Sequence, residues 1–202
     1  MVKPTASISF VIPPPNIQNI STTIIGTAPL IFHKWSEKAI QMIQAKQAKA
    51  INAGKRETRN PQEEYEESFY KDSNGKIAFP ALCIKQTMVN ATRSVTGLTM
   101  TLLRGGIFIV GDKDGLIPVK YGTKEMRTDM VRVGMGVADV RYRGQVKDWS
   151  MHFLIKFNAD LFSPDQVLNL LNTAGFSCGL GEWRPERNGD FGTFEVEKTK
   201  IK

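Results

Sequence analysis

Cysteine and histidine are scarce in this chain, with two of each in 202 residues. Cys83 and Cys178 lie far apart and form no Cys-x-x-Cys spacing, which excludes a disulfide framework and argues against a structural zinc site. No apolar run approaches the roughly 20 residues that a bilayer span requires. The opening stretch MVKPTASISFVIPPP lacks the continuous apolar core of a signal peptide. The expectation is therefore a cytoplasmic protein with no membrane contact. Also missing are G-x-S-x-G, G-x-x-x-x-G-K-[ST] and H-E-x-x-H, and with them the commonest hydrolase, nucleotide-triphosphatase and zinc-protease chemistries. Asp112 and Asp114 sit in Asp-Lys-Asp-Gly, which a turn explains. No metal site and no cofactor is expected.

What the chain does carry is positive charge: +7 formally, with a pI near 9.4. Residues 1–100 hold 12 Lys+Arg against 7 Asp+Glu, and residues 101–202 hold 15 against 13, so the excess is concentrated in the first half. From Lys46 to Arg59 there are five cations, Lys46, Lys49, Lys55, Arg56 and Arg59, against Glu57 alone. Such a run suits a polyanion. It could equally be neutralised by Glu63, Glu64, Glu66 and Glu67 just downstream. Hydrophobic residues at 41% and charged residues at 23% place the chain among globular proteins. Its length suits a single domain over 1–202 with insertions at about 44–75 and 111–147.

Periodicity supplies the elements. Residues 6–12 and the β-branched run broken at Gly26 and Pro29 read as strands, and Ser36 caps a helix ending at Gly54. An acidic helix starts at Pro61, and Asn74-Gly75 marks a turn. Pro80 opens a helix with Ala81, Ile84, Met88, Ala91 and Val95 on its buried stripe and Lys85 and Arg93 on another face. TLLRGGIFIVGDKDGLIPVKYG reads as two strands about the DKDG turn, and Thr123 to Gln145 as an irregular strand and loop excursion. Trp149, Met151, Phe153, Ile155 and Phe157 alternate as one face of a strand. Ser163-Pro164-Asp165-Gln166 is a capping box that opens a helix ending at Gly175, and FGTFEVE closes the chain as a strand.

Between that helix and that strand lie Gly179, Gly181, Gly189 and Gly192 around Trp183, Arg184 and Arg187. A single turn does not need four glycines. A backbone approaching a phosphate chain would use them, with Arg184 and Arg187 on phosphates and Trp183 stacked on a base. Arg141 and Arg143, two apart on a strand, would point the same way and add a contact. The alternative is a structural staple in which Arg184 or Arg187 pairs with Glu182 or Glu186.

As β-α-β units the chain reads as α+β, a ferredoxin-like (RRM-like) antiparallel sheet with helices on one face, elaborated by insertions. Three segments, IIGTAPLIF, NGKIAFPALCIKQTMVNATR and GLGEWRPERNGDFGTFEV, resemble the RAMP superfamily, which includes the guide-RNA-binding backbone subunits of CRISPR effector complexes. The last segment is most similar to small phage and prophage proteins of this type. The resemblance implies a non-enzymatic protein that binds single-stranded RNA or DNA, able to self-associate along the strand or to join a CRISPR-type complex. Its fit is looser at Gln86 and Val89, where the family often has glycine and arginine after the lysine. Two other readings stay open: a virion, assembly or anti-CRISPR protein acting by protein contacts, and a metal-independent ribonuclease. The latter would use His33, because guide-processing RAMP nucleases often carry a general acid-base histidine after their first strand.

Overall fold

The computed structural model describes residues 12–35, 59–133 and 136–197, together with positions 40, 41 and 44. The strand expected over 6–12 lies outside these residues except for Ile12. Of the helix expected after Ser36 only three positions fall within them.

In chain order the elements are β1 (Ile17–Gly26), β2 (Leu30–Ile31), α1 (Pro61–Glu67), β3 (Tyr70–Lys71), β4 (Ile77–Pro80), α2 (Ala81–Ala91) and α3 (Met100–Gly106). Then follow β5 (Ile107–Val110), β6 (Leu116–Lys120), β7 (Thr123–Val133), β8 (Val137–Lys147), β9 (Ser150–Asn158), α4 (Pro164–Ser177) and β10 (Phe194–Val196). The larger sheet runs β10-β1-β9-β6-β4-β3, with β5 also on β9, and all of its pairings are antiparallel. Taken as β1, α2, β5, β9, α4 and β10, the chain has the ferredoxin-like order: last strand, first, third, second. The fold is thus α+β and ferredoxin-like, as the sequence suggests. The segment from Trp149 to Glu197 supplies its second β-α-β unit, with β1 inserted between β9 and β10.

The alternation in β9 explains why the sheet has one wet face. Met151, Phe153, Ile155 and Phe157 are buried, while His152 and Lys156 are exposed on the other side. Ile24 on β1, Ile84 and Met88 on α2, and Val167, Leu171 and Ala174 on α4 complete a single apolar cluster with them. The α4 start is the capping box expected: Ser163 Oγ accepts from the Gln166 N–H at 3.3 Å, and Gln166 Oε1 accepts from the Ser163 N–H at 2.9 Å. Asn60 likewise caps α1, where Glu63 and Glu64 stand in the first turn.

Three local readings are corrected. The DKDG turn does not join a hairpin. Met100–Gly106 is a helix capped by Thr99, and β5 and β6 are successive stretches along the same edge of β9. The turn between them is an outward loop in which Asp112 Oδ1 accepts from the Asp114 and Leu116 N–H groups and Gly115 has φ +73°. Local sequence specified that turn; the choice of β9 as partner came from the sheet. Second, residues 123–147 form a regular hairpin, β7 on β8, in register from Thr123↔Lys147 to Val133↔Val137. Together with β2 it makes a second, three-stranded sheet, β2-β8-β7. The apolar residues of β7 and β8 do not keep to every second position, so the strict apolar period that marks β9 is absent. Third, α4 continues past Gly175 to Ser177, and it is Gly179, at φ +67°, that closes the helix. Gly175 is buried inside α4 because a Cβ there would collide with the Phe194 carbonyl oxygen of β10. The glycine is needed for close approach of helix and strand.

Candidate nucleic-acid interface

The loop between α4 and β10 is fastened from within. Leu180 donates to Gly192 O at 2.9 Å, Gly192 to Pro29 O at 2.8 Å, Glu182 to Ile31 O at 3.1 Å and Phe191 to Trp183 O at 3.0 Å. The N–H groups of Gly179 and Gly189 go to Ala174 O and Arg184 O. Of the four glycines expected to offer N–H groups to phosphates, three therefore donate within the protein. Only the Gly181 N–H has no protein acceptor among the described residues. The absence of side chains serves packing instead: a Cβ at Gly181 would strike Ile31 O, at Gly189 Trp183 O, and at Gly192 Leu180 O.

Two side-chain clusters form on this loop. In the first, Glu186 joins three groups: Arg184 through Nε at 3.2 Å and Nη2 at 3.1 Å, Asn90 of α2 through Nδ2 at 2.7 Å, and Arg93 at 4.0 Å. Arg184 Nη1 also donates to Gly181 O at 2.9 Å. Arg184 is thus the staple of the alternative sequence reading, whereas Arg187 is exposed and has no ion pair among the described residues. The structure brings Arg93 to this loop and takes Lys85 away from it. Lys85 Nζ donates to Arg104 O at 2.8 Å and stands 3.9 Å from the Phe108 ring centre, where burial lowers its pKa.

The second cluster joins β2, the loop and the β7–β8 hairpin. Asp129, 6% exposed, accepts from Arg127 Nε at 2.7 Å, Arg143 Nη1 at 3.2 Å and Trp183 Nε1 at 3.3 Å. Arg143 is buried and its Nε has no partner, so it does not face solvent beside Arg141 as expected. Arg141 pairs with Asp139 at 2.9 Å. The Arg127 guanidinium lies 4.6 Å from the Phe191 ring centre. Trp183 has a left-handed backbone, φ +52°, and is 37% exposed. For a bulky residue that conformation is costly, and the surrounding hydrogen bonds are what maintain it.

His33 follows β2 and shares this cluster. Its Nδ1 donates to Glu182 Oε1 at 2.9 Å, and Arg143 Nη2 lies 3.5 Å from the same nitrogen. The hydrogen bond from His33, with Arg143 and Arg184 nearby, holds the Glu182 carboxyl below the usual carboxylate range despite partial burial. A depressed pKa contributes stability that is fully present above the ordinary glutamate value of about 4.3 and is lost as pH falls through the lower folded value. Melts between pH 6 and 3 should therefore show an acid-side loss that is smaller in Glu182→Gln. An identical acid limb in the variant would contradict this assignment.

Among the basic-run candidates only Arg59 lies in the described residues; Lys46, Lys49, Lys55 and Arg56 lie outside them. Arg59 donates to Glu64 at 2.6 and 2.7 Å and to Asp139 at 2.6 Å, so its charge is neutralised locally. The His33–Glu182 and Arg143–Asp129 contacts were not foreseen. His33 and Glu182 are far apart in sequence, and Glu182 was expected to pair with Arg184 or Arg187 rather than with His33.

The ferredoxin-like order, with the β7–β8 hairpin inserted between β6 and β9 and paired to β2, defines the class of structure. A chain in the cryo-EM structure of the Type III-B Cmr-beta bound to cognate target RNA has this fold. It matches with a TM-score of 0.51 and 11% identity, covering 91% of the present chain and 60% of that one. The crystal structure of Cmr6 from Pyrococcus furiosus matches with a TM-score of 0.43 and 11% identity, covering 89% and 98%. The present chain thus spans 60% of the length of the Cmr-beta chain it matches. At 11% identity the likeness to the Cmr-beta chain is one of fold. No protein-family model and no curated protein matches the sequence. No helix among the described residues is long and apolar enough to cross a membrane.

Proposed function

We propose that this chain is a non-enzymatic single-stranded nucleic-acid-binding protein, whose contact surface is the loop from Gly179 to Gly192 with the adjoining end of α2. The observation that carries this reading is Trp183: a bulky residue held in a strained left-handed conformation, indole partly exposed, next to a loop turn that presents the exposed Arg187. Strain persisting at a solvent-facing aromatic is a pointer to function. Every nucleobase offers a face on which such a ring stacks, a contact worth about 1–3 kcal/mol per base. Arg187 supplies a cation with no ion pair among the described residues, and Arg93, 65% exposed and only at the edge of contact with Glu186, a second. The net charge of +7 favours encounter with a polyanion. RNA is the first ligand to test, since the Cmr-beta structure that shares the fold holds target RNA. Of the arginines expected on phosphates, Arg187 and Arg93 remain available for that role, whereas Arg184, Arg141 and Arg143 are engaged by Glu186, Asp139 and Asp129.

The experiment is a binding titration of labelled single-stranded RNA and DNA with Trp183→Ala and Arg187→Ala. The stacking variant is expected to weaken binding about tenfold or more. Arg187→Ala should weaken it uniformly across sequences and make the salt slope shallower by about 0.7, the value for one phosphate contact to a single strand. Both should fold normally. Unaltered affinity in both would sink the reading.

One observation favours a second reading, the metal-independent ribonuclease. Donation from His33 Nδ1 to Glu182 leaves Nε2 as the proton-accepting nitrogen, and Arg143 stands close by to steady charge. Cleavage of RNA in the presence of a chelator, abolished by His33→Ala, is the result that would replace binding alone by catalysis.

A further inference from the structure

Away from this loop a cleft of about 410 Å³ opens between α1, the turn joining β3 to β4, and the start of β7. Its floor is apolar: Phe69, Ile77 and Val119 are all buried. Its rim is cationic. Lys71 from β3, Lys76 from the turn and Lys124 from β7 converge on it from three separate elements. Among the described residues the one carboxylate lining it is Glu66, reached by Lys124 at 3.2 Å and by Lys71 at 3.6 Å. Lys76 is exposed and has no ion pair among the described residues. Three ammonium groups against one carboxylate leave two positive charges unbalanced at one small opening.

The opening is also kept clear. Asp72 Oδ1 accepts from the Asn74 N–H at 2.8 Å and the Lys76 N–H at 2.9 Å, which fixes the turn. Gly75 at its tip has φ +75° and nothing within contact distance of where a Cβ would sit. At the side, Tyr121 lines the cleft with a ring 39% exposed. Lys124 stands 5.6 Å from the Tyr65 ring centre and 5.7 Å from that of Phe69, a cation held over aromatic faces. A dianion carrying a flat, partly apolar group matches this arrangement of cations around an aromatic wall. The volume lies in the range of small-ligand sites.

We infer that the cleft binds a nucleoside 5′-phosphate, with the phosphate among Lys71, Lys76 and Lys124 and the base against Tyr121. Lys76 supplies the first new ion pair. Lys71 and Lys124 then share themselves between Glu66 and the phosphate. The same chemistry is offered by a free mononucleotide and by the phosphorylated 5′ end of a strand. The cleft shares no residue with the Gly179–Gly192 loop, so an oligonucleotide with a 5′-hydroxyl reports on strand binding there, and the two readings fail separately.

The test is calorimetric titration of the full chain with adenosine 5′-monophosphate, adenosine, and a short oligonucleotide with and without a 5′-phosphate. Adenosine monophosphate is expected to bind, and adenosine to bind at least tenfold more weakly. Lys76→Ala should weaken the monophosphate about tenfold, and Tyr121→Ala should weaken it as well. Glu66→Gln should tighten it, because the competing carboxylate charge is gone. That change of sign is one a merely structural role for Glu66 does not produce. Binding by the mononucleotide alone assigns the site to a free nucleotide, and binding by the phosphorylated oligonucleotide too assigns it to a strand end. Equal binding of adenosine and its monophosphate overturns the inference. So does unchanged affinity in a Lys71→Ala/Lys76→Ala variant whose circular dichroism is intact, and so does binding of neither phosphorylated probe.

Discussion

Asp129→Ala is expected to destabilise the protein by about 3–5 kcal/mol, the usual cost of breaking a buried ion pair from one side. Asp129 is the sole carboxylate partner of Arg143 among the described residues, and Arg143 is itself buried with its Nε already unpartnered. The same carboxylate holds Arg127 and the Trp183 indole N–H. Its removal leaves a desolvated guanidinium charge and frees the loop tryptophan together. For a chain of this length the loss corresponds to a fall in Tm of roughly 6–20 °C. Much of the penalty comes from the orphaned charge, so adding Arg143→Met to Asp129→Ala should give a double variant well short of the summed single effects. Thermal melts of the three variants check this. A near-neutral Asp129→Ala, or strict additivity, would show that the cluster is solvated and does not organise the loop.

Gly192→Ala is expected to cost about 3 kcal/mol or more. Two penalties combine. The residue has φ +68°, a conformation worth roughly 1–2 kcal/mol against a side chain. A Cβ there would also meet the carbonyl oxygen of Leu180, where the chains are locked by Leu180 donating to Gly192 and Gly192 to Pro29. Gly97 provides the control. Its φ is +83° but open space surrounds its Cβ position, so Gly97→Ala should show the dihedral penalty alone. Chemical denaturation should separate the two by about 2 kcal/mol, the overpacking contribution. Equal losses would mean that the loop shifts freely to accept a methyl group, and Trp183 would then lack its rigid support.

These two variants mark the boundary of what the sequence made legible. Elements whose signal is local were readable. The strict alternation Met151, Phe153, Ile155, Phe157 required a half-buried strand. Ser163, Pro164 and Gln166 carry the whole start of α4 within four residues. The glycines were visible as an excess, but their cause is tertiary: Gly175 faces the Phe194 carbonyl, Gly181 that of Ile31, Gly192 that of Leu180. No local pattern distinguishes a glycine that admits a phosphate from one that admits a neighbouring strand. The cations were misread for a related reason. Arg143 and Asp129 lie across a hairpin that the sequence showed only as an irregular excursion, so an arginine read as solvent-facing is a buried partner. The staple role of Arg184 was readable because Glu186 is only two residues away. His33 and Glu182, one after β2 and the other in the late loop, meet where Glu182 donates its N–H to Ile31 O.

The most direct measurement of the central claim is the salt dependence of single-stranded RNA binding by the unmodified chain. Log affinity against log salt concentration should be linear with a slope of about −1.4 or steeper, since single strands lose about 0.7 per neutralised phosphate and a path through Arg187 and Arg93 engages about two. Binding absent at about 50 mM salt for both RNA and DNA, or a slope near zero, would contradict the account.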